Sequence, residues 1–192
     1  MGTEIERKWV VRIKSFEDLH PFLIQHNISK SRISQFYTEN YHDVECRLRK
    51  EDFNGVVLYT MTEKIGKGLV RTENEVKITE IMYQSILGMY EMVNKTMQRN
   101  SNIITKTRYC YVFDDDTIPS IYFDTYSTPT FIPFIIEVEF KHKSEAERYD
   151  IESTLQQIPF PFQELFEIYD RQDFKNSSIT NNENLIFRFF SY

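Results

Sequence analysis

The sequence predicts an α+β fold, an eight-stranded antiparallel β-barrel with helices packed on the outside. Three observations lead to it. Eight segments alternate between polar and apolar residues with a period of two, which is typical of β-strands. Four other segments repeat apolar residues at the spacing of an amphipathic helix. On most of the predicted strands the charged side chains share one face, so each strand has a charged side and an apolar side.

The predicted strands run through most of the chain. They cover residues 4–12, 32–38, 44–50, 56–64, 70–78, 103–113, 120–126 and 135–142. The turn sequence Asp52-Phe53-Asn54-Gly55 predicts a hairpin between the third and fourth strands. Gly66-Lys67-Gly68 predicts a second turn between the fourth and fifth strands, so these neighbours are expected to pair antiparallel.

Four helices are predicted to cover the apolar side of the strands. They comprise residues 15–26, residues 79–93, residues 144–158 and a short piece over residues 162–168. Ser144 and Glu147 match the Ser-x-x-Glu capping box, which places the start of the third helix.

The length and composition predict one domain with a substantial core. The chain has 192 residues, of which 41% are hydrophobic. We expect the domain to span residues 1–176 and a tail to span residues 177–192. The tail begins polar and rich in Asn, whereas residues 185–192 are apolar enough to dock on the domain or on another chain, which leaves a homodimer open.

The overall charge excludes several classes of partner. The formal net charge is −6 at pH 7, so no global basic field would hold nucleic acid or an anionic membrane surface. No apolar stretch has the length of a signal peptide or a membrane span, and a cytoplasmic protein is therefore expected. Cys46 and Cys110 lack the spacing of metal ligands, and the four histidines are scattered, which argues against a zinc site.

The phase of the charged residues is the most informative feature of the sequence. The polar residues that share a strand face are, strand by strand, Glu4, Glu6 and Lys8; Glu45, Arg47 and Arg49; Thr60, Thr62 and Lys64; Arg71, Glu73, Glu75 and Lys77; Lys106 and Arg108; Tyr122 and Asp124; and Glu137 and Glu139. Residues at i and i+2 point to the same side of a strand, so each group forms one face.

Two arrangements satisfy this pattern. In one, the charged faces point to solvent and the apolar faces form the core of a sheet, as is usual for alternating strands. In the other, the apolar faces lie under the helices and the charged faces converge on the lumen of a closed barrel. The repeated Glu-x-Glu, Arg-x-Arg and Lys-x-Arg pairs favour the lumen, because on a surface an ion pair contributes only about 0–1 kcal/mol.

A lumen lined by both acids and bases would need occupants of matching charge. Grouped carboxylates favour a hard divalent cation with oxygen ligands, Mg²⁺ or Mn²⁺. Arginines and lysines in excess favour phosphate oxygens, which a guanidinium group holds in a fork. The residues therefore predict a site for a metal ion and a polyphosphate.

The motifs also resemble those of a known family. Glu4-Ile5-Glu6-Arg7-Lys8 resembles the Glu-x-Glu-x-Lys signature of the CYTH superfamily, the triphosphate tunnel metalloenzymes. The motifs that follow in the family's order over residues 3–176 are Arg47-x-Arg49, Thr62-x-Lys64, Gly68-Leu69-x-Arg71-x-Glu73-x-Glu75, Lys106-x-Arg108-Tyr109, Asp124 and Ile136-Glu137-Val138-Glu139-Phe140. The resemblance is strongest to the small bacterial tripolyphosphatase branch.

The resemblance implies a role for each charged residue of these motifs. The implied catalytic residues are Lys8, Lys64, Glu137 and Glu139. The residues implied to bind the triphosphate are Lys8, Arg47, Arg49, Lys64, Arg71, Lys106 and Arg108. The residues implied to hold Mg²⁺ or Mn²⁺ or its waters are Glu4, Glu6, Glu73, Glu75, Asp124, Glu137 and Glu139.

The function implied is the metal-dependent hydrolysis of a triphosphate, inorganic tripolyphosphate or a nucleoside triphosphate. In such a reaction an oriented water attacks the terminal phosphoryl group, and the protein contributes positioning and charge neutralisation. The same family includes class IV adenylyl cyclases and thiamine triphosphatases, and fold alone does not choose among these activities. A binding module that senses polyphosphate or a nucleotide without turnover is the alternative outside enzymes.

Overall fold

The computed structural model describes residues 2–13, 19, 21–23, 28–38, 44–99, 103–115, 117–128, 134–158 and 160–168. The strands are β1 (Gly2–Ile13), β2 (Ser29–Tyr37), β3 (Val44–Phe53), β4 (Val56–Ile65), β5 (Val70–Lys77), β6 (Ile104–Tyr111), β7 (Ile121–Thr128), β8 (Phe134–Glu139) and β9 (Phe162–Glu167). The complete helices are α1 (Glu80–Thr96), α2 (Lys143–Arg148) and α3 (Ile151–Gln157). Leu19 and residues 21–23 are helical as well.

The first eight strands close into the predicted antiparallel barrel. Their order around the barrel is β1-β5-β4-β3-β2-β6-β7-β8, and β8 pairs back with β1. Each pairing is antiparallel, including the two hairpins that the turn sequences predict. The eight-stranded barrel is therefore confirmed.

Strand β1 is shared between the barrel and a strand outside it. One edge of β1 pairs with β8 from Glu6 to Val11. The other edge pairs with β5 over Gly2 to Ile5 and then with β9 over Trp9 to Ile13. The change of partner falls around Arg7, where the Glu6 N–H donates to Leu69 O at 3.3 Å and the Ile168 N–H donates to Lys8 O at 2.8 Å. One edge of β1 is thus paired along almost the whole strand, and the edge that faces β8 is paired from Ile5 to Val11.

The apolar sides of the strands face outward beneath the helices. Trp9, Phe123 and Ile136 are buried in one cluster with Ala146 of α2 and Leu155 of α3. A second cluster forms under α1, where the ring of Tyr83 lies 6.1 Å from Phe36 and 5.1 Å from Tyr59. This packing leaves the other strand face for the barrel interior.

Helix α1 begins close to where the sequence predicts it. Thr79 caps the helix, because its Oγ1 accepts from the Met82 N–H at 3.2 Å, and Glu80 lies in the first turn. These are the residues expected at a helix N-terminus, where unpaired N–H groups need acceptors. None of the helices in the described part of the chain is long and apolar enough to cross a membrane.

Two of the predicted helices differ from the structure. Residues 162–168 were predicted to be helical, and the structure instead places β9 over Phe162–Glu167 against β1. A short apolar run fits both periodicities. The free edge of β1 decides the outcome, because it offers backbone partners that a lone helical turn lacks.

The predicted helix over residues 144–158 is wrong as a single element. It is two helices, because Tyr149 is extended and Asp150 caps a new helix by accepting from the Ser153 N–H at 3.2 Å. The predicted capping box is displaced too. Helix α2 starts at Lys143, and Glu145 rather than Glu147 reaches back, to the His142 N–H at 3.3 Å.

Some predictions fall beyond the residues that the structure describes. Of the helix predicted over residues 15–26, the described residues are Leu19 and 21–23, and these are helical. The predicted domain boundary at residue 176 and the tail over residues 177–192 lie outside the described residues.

The hairpin between β3 and β4 depends on residues with positive φ. Asn54 has a φ of 52° and Gly55 a φ of 85°, and Asp52 Oδ1 accepts from the Gly55 N–H at 2.9 Å. Both angles match the twist of a tight two-residue hairpin. The hairpin sets the β3–β4 register, which aligns Arg47 with Thr62 and Glu45 with Lys64.

Replacing Gly55 by Ala is expected to lower the free energy of unfolding by about 1 kcal/mol, because an L-residue at this φ is strained. A Cβ at Gly55 meets no atom within 4 Å, so the backbone alone carries the cost. Gly88 in α1 also has open space around a Cβ and is the matched control. Gly88→Ala is expected to raise the free energy of unfolding by about 1 kcal/mol. Urea denaturation measures both values, and equal stabilisation by the two variants would contradict the hairpin geometry.

Candidate functional site

The barrel encloses a charged cavity of ≈ 260 Å³. The residues that line it are Glu4, Glu6, Lys8, Tyr37, Glu45, Arg47, Arg49, Lys64, Gly68, Arg71, Glu73, Glu75, Arg108, Glu137, Glu139 and Ile168. Several of these charges are almost fully buried, since Arg47 and Lys64 are each 6% exposed and Glu137 is 3% exposed. The arrangement with charged faces in solvent is thereby excluded, and the charged faces converge on a lumen.

Three carboxylates form an acidic trio (Glu4, Glu6 and Glu139) on one side of the cavity. One oxygen of each lies within 4.8 Å of the others. The register explains why, because Glu6 of β1 is directly opposite Glu139 of β8 and Glu4 is two residues before Glu6. Burial and then the negative charge of Glu6 raise the pKa of Glu139. Burial alone would raise the pKa of Glu4, but Lys64 and Arg71 together lower it.

The acidic trio fits a hard divalent cation. Glu4 Oε2 is buried and lacks a hydrogen-bond donor. Arg71 Nη2 lies 3.0 Å from this oxygen, but not in hydrogen-bonding geometry. Carboxylate oxygens at this spacing are the ligands that Mg²⁺ and Mn²⁺ prefer. A cation there would also offset the repulsion that raises the pKa of Glu139.

One group of cations lies on β3, β4 and β5 beside the acidic trio. Lys64 contacts Glu4 directly and lies 3.6 Å from Glu73. Arg71 Nη2 lies 3.2 Å from Glu6 Oε1. Arg47 Nη2 donates to Thr62 Oγ1 at 3.1 Å and to Glu75 Oε2 at 3.4 Å. These bonds fix the cations, which remain at the cavity wall.

A second group surrounds Glu137. Lys8 Nζ lies 2.9 Å from Glu137 Oε1 and 3.0 Å from Glu6 Oε1. Burial alone would lower the pKa of Lys8, but Glu137 and Glu6 raise it, so the ammonium stays protonated. The Arg108 guanidinium contacts Glu137 as well, and it binds Asp124 in a fork at 2.8 and 2.7 Å.

Lys106 and Asp124 lie apart from the cavity. Both are almost fully buried, and the Lys106 ammonium contacts Asp124. Burial, together with the charge of Arg108, lowers the pKa of Lys106 to about 8. Both oxygens of Asp124 accept from Arg108, and one also accepts from Lys106, so neither oxygen faces the acidic trio. Every other predicted site residue lines the cavity.

The residues on β2 are functional candidates that the search for charged pairs overlooked. Tyr37 lines the cavity, and burial followed by the charge of Glu45 raises the pKa of its hydroxyl. Gln35 is fully buried next to it on the same strand face. Both lie at alternate positions of a predicted strand and therefore share one face, and the β2–β3 register places that face beside Arg47 and Arg49. Glu45 also lines the cavity, and its phase with Arg47 pointed there.

Arg49 differs from the other cations of the cavity wall. Its Nε and Nη2 donate to Gln35 Oε1 at 3.1 and 3.0 Å. Among the described residues no carboxylate lies within ion-pairing distance of it, whereas the other lysines and arginines of the wall each have one. Burial and the charges of Arg47 and Arg108 lower the pKa of Arg49 to about 10.

Solved structures share this architecture. No family model and no curated protein sequence matches the chain. The structure of the inorganic triphosphatase NE1496 is 21% identical, with a TM-score of 0.50, over 94% of this chain and 95% of that one. The PH1819 protein from Pyrococcus horikoshii is 20% identical, with a TM-score of 0.55, over 85% and 93% of the two chains.

A protein from Hippeastrum has the same architecture. HpAC1 from Hippeastrum was proposed to be an adenylyl cyclase and is described as having a dominant triphosphatase activity. It is 14% identical, with a TM-score of 0.55, over 83% of this chain and 90% of that one. At these identities the likeness establishes the fold. The chain therefore has the fold that its resemblance to the CYTH superfamily implies, a closed antiparallel tunnel with helices on the outside.

Proposed function

We propose that this protein is a CYTH-type triphosphatase that hydrolyses a triphosphate with Mg²⁺ or Mn²⁺. The observation that carries the proposal is the cavity itself, in which the acidic trio faces a wall of fixed lysines and arginines. The triphosphatase activity named for two of the structures with this fold supports it. Inorganic tripolyphosphate is the preferred candidate substrate.

The size of the cavity favours an inorganic substrate. Sites for drug-sized organic ligands commonly measure about 300–1,000 Å³. The cavity here measures ≈ 260 Å³, which suits a phosphate chain without a base and ribose. A nucleoside or thiamine group would extend beyond the cavity, so discrimination between triphosphates would depend on residues outside it.

The cations are proposed to hold the phosphate chain. Arg47, Arg49, Lys64 and Arg71 would bind its oxygens from one side, and Lys8 and Arg108 from the other. Each except Arg49 is already held by a carboxylate, so little rearrangement is needed when charge develops in the transition state. Asp124, which also contacts Lys106, is proposed to hold Arg108 in place, and this replaces the substrate and metal roles that the resemblance implies for Lys106 and Asp124.

The acidic trio is proposed to hold the metal ion and the attacking water. When bound, Mg²⁺ or Mn²⁺ would supply positive charge to the phosphate oxygens. Glu139 is the member best suited to take a proton from the water, because its pKa is raised and it is open to the cavity. Phosphoryl transfer needs little covalent chemistry from the protein. The catalysis would therefore depend on where the acidic trio and the cations of the cavity wall are held.

A substrate panel tests the proposal. The protein is incubated with tripolyphosphate, ATP or thiamine triphosphate, each with Mg²⁺, with Mn²⁺ or with excess chelator. We expect phosphate release from tripolyphosphate with either metal and none with the chelator. Pyrophosphate together with cyclic AMP from ATP would instead indicate a cyclase. Tight binding of tripolyphosphate without any product would indicate a sensor, and release of phosphate in the presence of chelator would contradict the metal dependence.

A further inference from the structure

The side chain of Gln35 links two polar groups of the cavity wall. It lies on β2, directly opposite Arg49 of β3 in the sheet register, and is fully buried. Its Oε1 accepts two hydrogen bonds from the Arg49 guanidinium, at 3.1 and 3.0 Å. Its Nε2 lies 2.9 Å from the Tyr37 hydroxyl. Both neighbours line the cavity, whereas Gln35 stands behind them.

The chemistry of the guanidinium determines how this amide is oriented. Arginine only donates hydrogen bonds, so the amide oxygen must face Arg49 and the amide nitrogen must face Tyr37. The Tyr37 hydroxyl therefore accepts from Gln35. Its own proton is directed elsewhere. One neutral side chain thus orients a cation and a hydroxyl at the same wall.

We propose that Gln35 is a positioning residue that aims the Arg49 guanidinium at the bound polyphosphate without pairing its positive charge with a carboxylate. This inference rests on the function proposed above and concerns the same cavity. Two N–H groups of Arg49 are occupied by the amide, which fixes the plane of the fork. The remaining N–H groups are free to bind phosphate oxygens.

The neutrality of Gln35 matters because of what surrounds Arg49. The neighbouring cations Arg47 and Arg108 have carboxylate partners, so part of their charge is already offset before the substrate binds. Arg49 is held by an amide in place of a carboxylate, so less of its charge is offset before the anion binds. A carboxylate at position 35 would hold the guanidinium equally well but would compete with the phosphate for it. The two properties, orientation and neutrality, can be separated by mutation.

Three variants of the full-length chain test the inference, with KM and kcat for tripolyphosphate measured at saturating metal. Gln35→Leu removes the acceptor and is expected to raise KM by about 10- to 100-fold, the range for a hydrogen bond to a charged group, with a smaller change in kcat. Gln35→Glu keeps the acceptor, and the Tyr37 hydroxyl can turn to donate to it. The same rise in KM is expected from the added negative charge. In an Arg49→Met background, Gln35→Leu is expected to have almost no further effect.

The controls separate positioning from a purely structural role. Gln156 is exposed on α3, so Gln156→Leu is expected to leave KM unchanged. If Gln35→Leu does not fold, Gln35→Glu carries the test alone, and a wild-type KM in that variant overturns the inference. So does a Gln35→Leu effect of full size in the Arg49→Met background, because it cannot then act through Arg49. If the wild-type protein neither binds nor hydrolyses tripolyphosphate, the proposed function fails. If it does both and the Gln35 variants match it, only this inference fails.

Discussion

Replacing Glu139 by Gln is expected to lower metal-dependent hydrolysis of tripolyphosphate by a factor on the order of 10²–10³, the loss typical when one preorganised charged or polar group is removed from an active site. Glutamine keeps the shape of the side chain but removes its charge. The acidic trio then loses a ligand for the metal ion and an acceptor for the proton of the attacking water. The measurement is kcat/KM at several metal concentrations up to saturation.

The fold of the Glu139→Gln variant is expected to persist. Among the described residues Glu139 has no ion-pair partner within 4.0 Å, and the substitution relieves its repulsion with Glu6. Urea denaturation should therefore show a free energy of unfolding no lower than that of the wild type. Glu91→Gln, an exposed change on α1, is the matched control and should leave both rate and stability unchanged. A wild-type rate at saturating metal would remove Glu139 from the mechanism.

Glu137 is expected to behave differently, although the motif places it two residues from Glu139. It is 3% exposed and contacts Lys8 and Arg108. Its neutralisation would remove one of the two carboxylate partners of each cation, so that Lys8 would keep Glu6 and Arg108 would keep Asp124. A Glu137→Gln variant therefore combines a kinetic and a structural effect, which makes Glu139 the cleaner test of the metal site.

Replacing Asp124 by Asn is expected to lower the free energy of unfolding by about 3–5 kcal/mol, the usual cost of removing one partner from a buried ion pair. Asp124 is 0% exposed and accepts from both Lys106 and Arg108. Asparagine would remove the carboxylate that contacts both cations, and Glu137, which also contacts Arg108 and lies 3.9 Å from Lys106, would offset their charges only in part. The measurement is urea denaturation at neutral pH.

The Arg12–Glu164 pair provides the control for Asp124. Its atoms lie 3.5 Å apart where β1 pairs with β9, and both side chains are more than one-third exposed. Glu164→Gln is expected to cost about 0–1 kcal/mol. Equal losses in the two variants would contradict the account of Asp124 as the centre of a buried network.

The loss of stability in the Asp124→Asn variant is expected to depend on pH, and the lowered pKa of Asp124 gives the direction. Arg108 and Lys106 lower the pKa of the Asp124 carboxyl below its ordinary value of 3.8, against the raising effect of burial. A carboxyl with a lowered pKa in the folded state contributes stability above the unfolded pKa and loses it as pH falls through the folded pKa. The difference between wild type and Asp124→Asn should therefore be complete at pH 7 and shrink below about pH 3.8.

The sequence predicts the barrel well because strand periodicity leaves little freedom. A period of two fixes which residues share a face, so Glu4, Glu6 and Lys8 must point together wherever β1 lies. The hairpin turns then align the charged faces of β3, β4 and β5. The resemblance to a known family adds the closure of the barrel, which periodicity alone leaves open.

Strand periodicity could not predict which of the inward-facing side chains reach the cavity. The phase places Lys106 and Asp124 on the inner face, and they do point inward, but neighbouring side chains seal them from the cavity. Gln35 and Tyr37 were missed because a search for charges passes over neutral groups. The identity of residues 162–167 as a strand depended on the edge of β1, which lies about 150 residues away in sequence and leaves no local signal.

The position of β1 has a consequence for biosynthesis. The ribosome makes this strand before its barrel partners β5 and β8, and β9 follows them. The backbone groups that pair with β8 and β9 therefore have no native partner until those strands have been translated. Such long-range pairing forms slowly, so β1 exposes unpaired backbone groups in the nascent chain, and these groups can pair with other strands.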